Sequence, residues 1–145
     1  MKLVLDTDVV VAALRSPSGA AAELVRRARR GRITLAASVS LFVEYEAVCS
    51  RQRHMEPAGL TLTDVGIFLD ALASVVQPVP IHYLWRPQLH DPADELVLEA
   101  AVNARADALL SFNVRHFQPA AAKFGMRVSQ PGPFLRSLDG EKPHE

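Results

Sequence analysis

Short apolar runs alternate along the chain with longer stretches in which apolar residues recur at helical spacing. Short apolar runs are typical of buried strands, and the longer stretches are typical of amphipathic helices. Their alternation predicts an α/β fold in three layers, with a central, mostly parallel twisted sheet flanked by helices. The predicted strands are residues 2–6, 32–38, 76–80, 107–112 and 126–130.

Capping residues and helix breakers set the predicted helices between these strands. The predicted helices cover residues 16–31, 38–53, 61–74 and a segment that begins at residue 92. Gly31 ends the first of them, because glycine is the usual residue after a helix terminus. Asp91 is the predicted N-cap of the last, with Pro92 in its first helical position.

The composition is that of one globular domain, because 145 residues suffice to bury a single core. No apolar run approaches the roughly 18 residues that cross a membrane, and the single cysteine excludes an internal disulfide. The start of the chain lacks the pattern of a secretory leader, so a soluble, cytoplasmic protein is expected. The predicted domain covers residues 1–138, and residues 139–145 are predicted to be a flexible tail.

The formal charge is balanced, since 16 lysine and arginine residues oppose 16 aspartate and glutamate residues. A balanced total does not indicate a nucleic-acid-binding protein. The stretch from Arg26 to Arg32 nevertheless contains five arginines in seven residues, and such a patch can contact phosphates. Cations in the last turn of a helix also complement its dipole, so both interpretations stay open.

Two carboxylates and an asparagine follow predicted strands. Asp6 and Asp8 come at the end of the first strand, and Asn113 directly follows residues 107–112. Ligands of parallel sheets bind outside the carboxyl ends of the strands, so Asp6 and Asn113 are candidate site residues. The pair Asp6 and Asp8 fits a solvated turn, the nucleophile and acid of a phosphatase, or the first ligands of a metal site.

The last predicted helix carries acids in two different settings. Glu95, Glu99 and Asn103 repeat at four-residue spacing, so they are expected on a solvated polar face. Asp94 instead shares a stripe with apolar positions and is expected to point toward the packed side, where an ionised carboxylate needs a partner. The alternative for Asp94 is that it only complements the helix dipole.

Glu44 and Glu46 both flank the apolar face of the helix over residues 38–53, and periodicity does not choose between them. Cys49 lies within that apolar face and has no basic neighbour that would lower its pKa. A structural role is therefore expected for this thiol.

Five segments together resemble the PIN domain, and more closely the VapC-like toxin components of bacterial and archaeal toxin–antitoxin pairs. The segments are, in chain order, LVLDTDVVVAAL, SLFVEYEAVCSR, DPADELVLEAA, DALLSFNVRHF and VSQPGPFLRSL. They extend over nearly all of residues 2–138. No segment is strongly specific by itself, but their order and spacing together are.

The resemblance implies one acidic metal site formed by Asp6, Glu44 and Asp94, with Asn113 in its fourth position. It therefore selects Glu44 over its neighbour Glu46. Many PIN domains carry aspartate where this chain has Asn113, and asparagine where it has Asp8. An asparagine oxygen can ligate a metal but brings no negative charge. Asp8 either restores part of that charge or turns the backbone after the strand.

The resemblance also implies a function, namely hydrolysis of RNA phosphodiester bonds by an endoribonuclease that depends on Mg²⁺ or Mn²⁺. Such toxins usually form homodimers and are inhibited by a cognate antitoxin protein. The chemistry of the acids agrees, because two carboxylates about 4 Å apart repel by roughly 4 kcal/mol at an effective dielectric constant of about 20. Ligand sets made only of oxygen favour Mg²⁺ or Mn²⁺.

Two other functions are compatible with parts of the sequence. The opening LDTDVV also fits a haloacid-dehalogenase-like phosphatase, in which Asp6 would be the nucleophile and Asp8 the acid and base. That chemistry needs a downstream lysine followed by paired acids, and none of the three lysines has this setting. The other alternative is a PIN-like binding module without catalysis, which Asn113 makes possible.

Overall fold

The computed structural model describes residues 1–82, 89 and 91–140. Within these residues, five strands form one sheet in which all neighbours run parallel. The strands are β1 (Lys2–Leu5), β2 (Thr34–Ala37), β3 (Val76–Pro78), β4 (Ala108–Leu110) and β5 (Arg127–Ser129), in the spatial order β3-β2-β1-β4-β5. The predicted α/β fold with a central parallel sheet flanked by helices is confirmed.

Eight helices accompany these strands in the described part of the chain. They are α1 (Thr7–Arg15), α2 (Ala20–Arg29), α3 (Val39–Cys49), α4 (Gln52–Met55), α5 (Leu62–Val75), α6 (Pro92–Ala104), α7 (Val114–Ala122) and α8 (Pro131–Leu138). The predicted cap of α6 is confirmed, because the Asp91 carboxylate accepts a hydrogen bond from the backbone N–H of Ala93 and Pro92 occupies the first turn. None of the described helices is long and apolar enough to cross a membrane.

Two predicted helices were wrong in detail, and three helices were not predicted. The chain forms α1 directly after β1, α7 after β4 and α8 after β5, where the sequence pattern predicts no helix. The helix predicted over residues 16–31 is shorter, because Ser16 ends α1 and Gly19 is the N-cap of α2. The helix predicted over residues 38–53 is divided into α3 and α4, since Arg51 adopts an extended conformation between them.

The sheet changes its winding direction between β1 and β4. The chain places β2 and β3 on one side of β1 and then returns to place β4 and β5 on the other side. Leu5 at the end of β1 is in register with Leu110 at the end of β4, and the backbone N–H of Asp6 donates to the Leu110 carbonyl. The chain segments that follow β1 and β4 therefore begin side by side, at the position where parallel sheets commonly bind ligands.

The two strands that end at this edge, β1 and β4, form the centre of the hydrophobic core. Leu3, Val4 and Leu5 of β1 and all three residues of β4 are buried. Helix α6 packs against β1, β2 and β4, while α1 contacts α2 and α3. Cys49 is a buried free thiol, and burial raises its pKa to about 11. The thiol therefore stays protonated and unreactive, in agreement with the predicted structural role.

The prediction that Glu95 and Glu99 lie on a solvated polar face of α6 was wrong, because both side chains are buried. Glu95 accepts a hydrogen bond from the backbone N–H of Leu89. Asn103, on the same stripe, accepts from the backbone N–H of His82 and donates to the carbonyl of Glu99. This stripe therefore binds the backbone at His82 and Leu89, which lie between β3 and α6. Four-residue spacing in the sequence does not reveal that role.

Tyr45 connects α3 to the carboxyl end of β1. Its ring is buried, and its hydroxyl donates a hydrogen bond to the carbonyl oxygen of Leu5, the residue before Asp6. We expect Tyr45→Phe to lower the free energy of unfolding by about 1–3 kcal/mol, because a buried carbonyl loses this donor. Urea denaturation followed by circular dichroism measures the change. An unaltered free energy of unfolding would show that the hydroxyl contributes nothing to the attachment of α3.

Candidate metal centre at the carboxyl edge of the sheet

Asp6 lies buried at the junction of β1 and α1. It is the N-cap of α1, and its Oδ1 accepts from the backbone N–H of Thr7 at 2.7 Å. Its Oδ2 accepts from the hydroxyl of Ser111, the residue after β4, at 2.6 Å. The Asp6 carboxylate is thus fixed by one hydrogen bond from its own helix and one from the neighbouring strand end.

Asp8 and Asn113 connect the chain segment that follows β1 with the segment that follows β4. Oδ2 of Asp8, in the first turn of α1, accepts from the backbone N–H of Phe112 at 3.2 Å and from Nδ2 of Asn113 at 3.3 Å. The backbone N–H of Asn113 donates to the Ser111 hydroxyl. Asp8 therefore does not merely turn the backbone after the strand, because its carboxylate holds the segment between β4 and α7.

Asp94 reaches this edge from the first turn of α6. Its side chain is 19% exposed, and its Oδ2 lies 3.7 Å from Nδ1 of His116 in α7. It interacts electrostatically with both Asp6 and Asp8. Asp94 also lines a cleft of about 460 Å³, and the other described residues along it are Leu89, Asp91, Arg115, His116, Pro119 and Ala120.

The three acids resist ionisation in the protein without a metal ion. Burial, and then the charge of Asp8, raise the pKa of Asp6 to about 7, although hydrogen bonds from Ser111 and Thr7 oppose the shift. Burial also raises the pKa of Asp8. The pKa of Asp94 is raised to about 6 by burial and then by the charges of Asp6 and Asp91, against the effect of His116. Converging carboxylates of this kind favour a bound cation.

The donor set fits a hard divalent cation. Oδ1 of Asp8 is buried and accepts no hydrogen bond within the described residues, so it can ligate without losing a partner. No group of three or more histidine, cysteine or acidic side chains in residues 1–82, 89 and 91–140 already surrounds a single point. Mg²⁺ commonly takes only one or two carboxylates and completes its shell with water and phosphate oxygens. Asp6, Asp8 and Asp94 are therefore suitable ligands.

Glu44 lies on α3, one residue before Tyr45, and is half-buried, whereas Glu46 is exposed. The hydroxyl of Tyr45 binds the carbonyl next to Asp6, so α3 approaches the acidic edge at this point. No cluster of three or more possible metal-binding side chains within the described residues includes Glu44. The role of Glu44 as a metal ligand stays a prediction.

Sequence reasoning missed Ser111 and left Asp8 undecided. Ser111 is fully buried and bonds both Asp6 and the backbone of Asn113. A hydroxyl directly after a buried strand, two residues before a candidate site residue, was the signal available in the sequence. His116, which follows Asn113 by three positions, lies beside Asp94.

The raised pKa values predict how the stability of the metal-free protein depends on pH. Between pH 4 and pH 7 the folded protein holds protons on Asp6 and Asp94 that the unfolded chain, with the ordinary value of 3.8, has released. The free energy of unfolding should therefore fall as the pH rises from 5 to 8. Added Mg²⁺ should restore stability at pH 8, because it binds the ionised acids.

Urea unfolding at pH 5 and pH 8, with chelator or with Mg²⁺, measures this dependence. The lowered pKa of His54 acts in the opposite direction, so the same titration of Asp6→Asn isolates the carboxyl contribution, which this variant lacks. Metal-free stability that stays constant or rises toward pH 8 in the wild type would contradict the arrangement of acids described above.

Comparison with known protein families agrees with this geometry. A family model described as PIN domain matches residues 2–115, which is most of the chain. The chain therefore belongs to the PIN domain family, a family of nucleases, and the resemblance drawn from its sequence segments is confirmed. A comparison with curated proteins gives no match.

Among solved structures, the chain is similar to one from the crystal structure of VapBC2 from Rickettsia felis bound to a DNA fragment from their promoter. The TM-score is 0.62 at 14% sequence identity, and the alignment covers 90% of this chain and 98% of that chain. At this identity the likeness concerns the fold, which is shared over nearly the full length of both chains.

Proposed function

We propose that this protein is a metal-dependent endoribonuclease and the toxin of a toxin–antitoxin pair. The observation that supports the proposal is the electrostatic interaction among Asp6, Asp8 and Asp94 near the edge of the sheet between β1 and β4, in a chain of the PIN domain family. Asp6 and Asp8 also hold the backbone here, but these hydrogen bonds do not offset the burial and mutual repulsion of three acids with raised pKa values, whereas a cation used for metal-dependent phosphodiester hydrolysis would.

Each side chain of the site has a separate task in this proposal. Asp6 and Asp94 hold Mg²⁺ or Mn²⁺, with Glu44 as the further predicted ligand, and Ser111 fixes the orientation of Asp6. Asn113 holds Asp8 in place. A bound ion of this type polarises the scissile phosphate and lowers the pKa of a water molecule.

The cleft beside Asp94 provides a place for the substrate. Arg115 and His116, at the start of α7, line it opposite the acids of α6. The arginine supplies a permanent positive charge for a phosphate of the RNA backbone. The cleft thus combines a cation-binding wall with a phosphate-binding wall, as a nuclease requires.

The proposed partners follow from the family and from the similar structure. We expect a cognate antitoxin, because the similar chain belongs to a VapBC2 assembly, and we expect a homodimer of the toxin acting in the cytoplasm. Coexpression with the product of an adjacent small reading frame, followed by copurification and size-exclusion chromatography, tests both expectations. A protein that stays monomeric and binds no such product would contradict them.

Incubation of purified protein with RNA, with and without chelator, tests the proposed reaction. Hydrolysis should require Mg²⁺ or Mn²⁺ and should be lost in Asp94→Asn purified in parallel, which excludes a contaminating nuclease. Release of inorganic phosphate from small phosphoesters would instead support the phosphatase. Absence of both reactions in a folded, metal-binding protein would support the binding module. The phosphatase is disfavoured because none of the three lysines is followed by the paired acids that its chemistry needs.

A further inference from the structure

The arginines between residues 26 and 32 fall into two groups. Arg26 and Arg27 pair with Glu23, and Arg27 also pairs with Asp139 after α8. Arg29, Arg30 and Arg32 are exposed and form no ion pair within the part of the chain that the structure describes. The first group therefore stabilises contacts of α2. In the second group, Arg29 complements the dipole of α2 from its last turn, but all three side chains stay available to an external anion.

The unpaired arginines lie at the amino edge of the sheet, opposite the candidate metal centre. Arg32 comes two residues before β2, and Thr34 of β2 is in register with Lys2 of β1. β1 begins at Lys2, so Asp6, four residues further on, lies about 13 Å from the start of the strand at the usual rise. These arginines cannot share a phosphate with Asp6, which follows the carboxyl end of the same strand.

Arg105 adds a fourth exposed cation to this edge. It precedes β4 by three positions and forms no ion pair among the described residues. β2 and β4 lie on either side of β1, which separates their amino ends by about 10 Å. Arg29, Arg30, Arg32 and Arg105 are together called the amino-edge patch. The acid at this edge, Asp107, accepts a hydrogen bond from the backbone N–H of Lys2.

The backbone of Arg105 points to a use for its side chain. It is the C-cap of α6 with φ of 52° and ψ of 48°, and it is the one residue other than glycine with positive φ in the described chain. Glycine or asparagine is normally found at this position, because a side chain such as that of arginine is strained there. A contact of the exposed guanidinium with a ligand outside the chain would offset this cost.

We propose that the amino-edge patch binds the phosphate backbone of a folded RNA substrate, away from the bond that is cleaved. The inference rests on the proposed function for the identity of the polyanion. A protein partner usually requires an apolar centre in its interface. Of the exposed large hydrophobic residues in the described chain, only Met1 lies at this edge, while the others lie on α3, in the first half of α5 and at Phe112. A surface of arginines without apolar neighbours fits a phosphate backbone better.

Affinity for a long folded RNA, measured in the cleavage-deficient Asp94→Asn background at several salt concentrations, tests the patch. Replacing Arg29, Arg30 and Arg32 with glutamine should raise the Kd by about tenfold or more and reduce the slope of log K against log salt by about 2. Replacing the same three residues with lysine is the matched control and should retain both values. With an otherwise unsubstituted active site, cleavage of a short single-stranded oligonucleotide should be unchanged, since it does not reach the opposite edge.

Arg105 allows a second test in which stability and binding change in opposite directions. Arg105→Gly should leave the Tm unchanged or raise it, because glycine adopts positive φ without strain, while the Kd for folded RNA rises about threefold. Arg105→Lys should bind RNA like the wild type. A purely structural Arg105 would instead leave RNA affinity unaltered in both variants.

Unchanged RNA affinity and salt dependence in the glutamine variant would overturn the proposal. Loss of binding to an acidic antitoxin with RNA binding intact would overturn it too and would assign the patch to a protein partner. The RNA affinities of these variants are measured without cleavage, so they stay informative if the wild type hydrolyses no RNA. Failure of the proposed function is therefore distinguishable from failure of the amino-edge patch.

Discussion

Asp6→Asn is expected to lower RNA cleavage about 1000-fold or more while leaving the metal-free protein at least as stable as the wild type at pH 8. The loss corresponds to about 4 kcal/mol of transition-state stabilisation, which is within the range that a catalytic metal supplies. The amide oxygen of asparagine can still accept from the backbone N–H of Thr7, and its amide nitrogen can donate to the hydroxyl oxygen of Ser111, so both contacts at the end of β1 can persist. What disappears is the negative charge that would hold the cation.

The gain in stability has a separate physical cause. At pH 8 the wild-type protein without metal carries a buried negative charge on Asp6 next to Asp8, which is why the pKa of Asp6 is raised to about 7. A neutral side chain of the same shape avoids both the burial of charge and the repulsion. Activity and metal-free stability should therefore move in opposite directions, which simple misfolding of the variant cannot produce.

Initial rates of RNA hydrolysis and urea unfolding at pH 8 measure the two effects. Asp70→Asn is the matched control, since Asp70 is an exposed aspartate on α5, and it should change neither. Asp6→Asn with wild-type cleavage would exclude Asp6 from the metal centre. A large loss of stability together with the loss of activity would show that the charge of Asp6 is needed for folding rather than for catalysis.

The sheet and the position of the site could be predicted because both depend on local patterns. The buried runs of β1 and β4 are apolar and contiguous, and polar residues at the carboxyl ends of parallel strands lie close together in any such sheet. Asp6 and Asn113 were therefore recognisable. Their actual connection, through Asp8 and Ser111, joins residues more than one hundred positions apart, and no spacing in the sequence specifies such a pair.

The errors have a common origin in tertiary packing. Three consecutive valines after Asp8 favour a strand by intrinsic propensity, yet they belong to α1, which is held by the cap of Asp6 and by contacts with α2 and α3. Glu95 and Glu99 follow the spacing of a solvated face, yet α6 also contacts α3 and α7 and is covered on more than one side. Periodicity identifies a helix but not how many neighbours surround it.

Comparing Glu44→Gln with Glu46→Gln tests whether Glu44 is a metal ligand. The two glutamates are two residues apart on α3, and only Glu44 is partly buried beside the residue that anchors α3 to β1. If Glu44 ligates the ion in the catalytic state, Glu44→Gln should reduce cleavage and Mn²⁺ affinity about 10- to 100-fold. Glu46→Gln should stay within about twofold of the wild type, because exposed charge changes away from the site have small effects.

The two readouts separate a ligand from a structural residue. Excess Mn²⁺ should partly rescue Glu44→Gln, because a weakened site is refilled by mass action, whereas a misplaced α3 would not respond to metal. Equal cleavage and equal Mn²⁺ affinity in the two variants would remove Glu44 from the centre. The cation would then be held by Asp6, Asp8 and Asp94 alone, and the free Oδ1 of Asp8 would take the place that the family resemblance gives to Glu44.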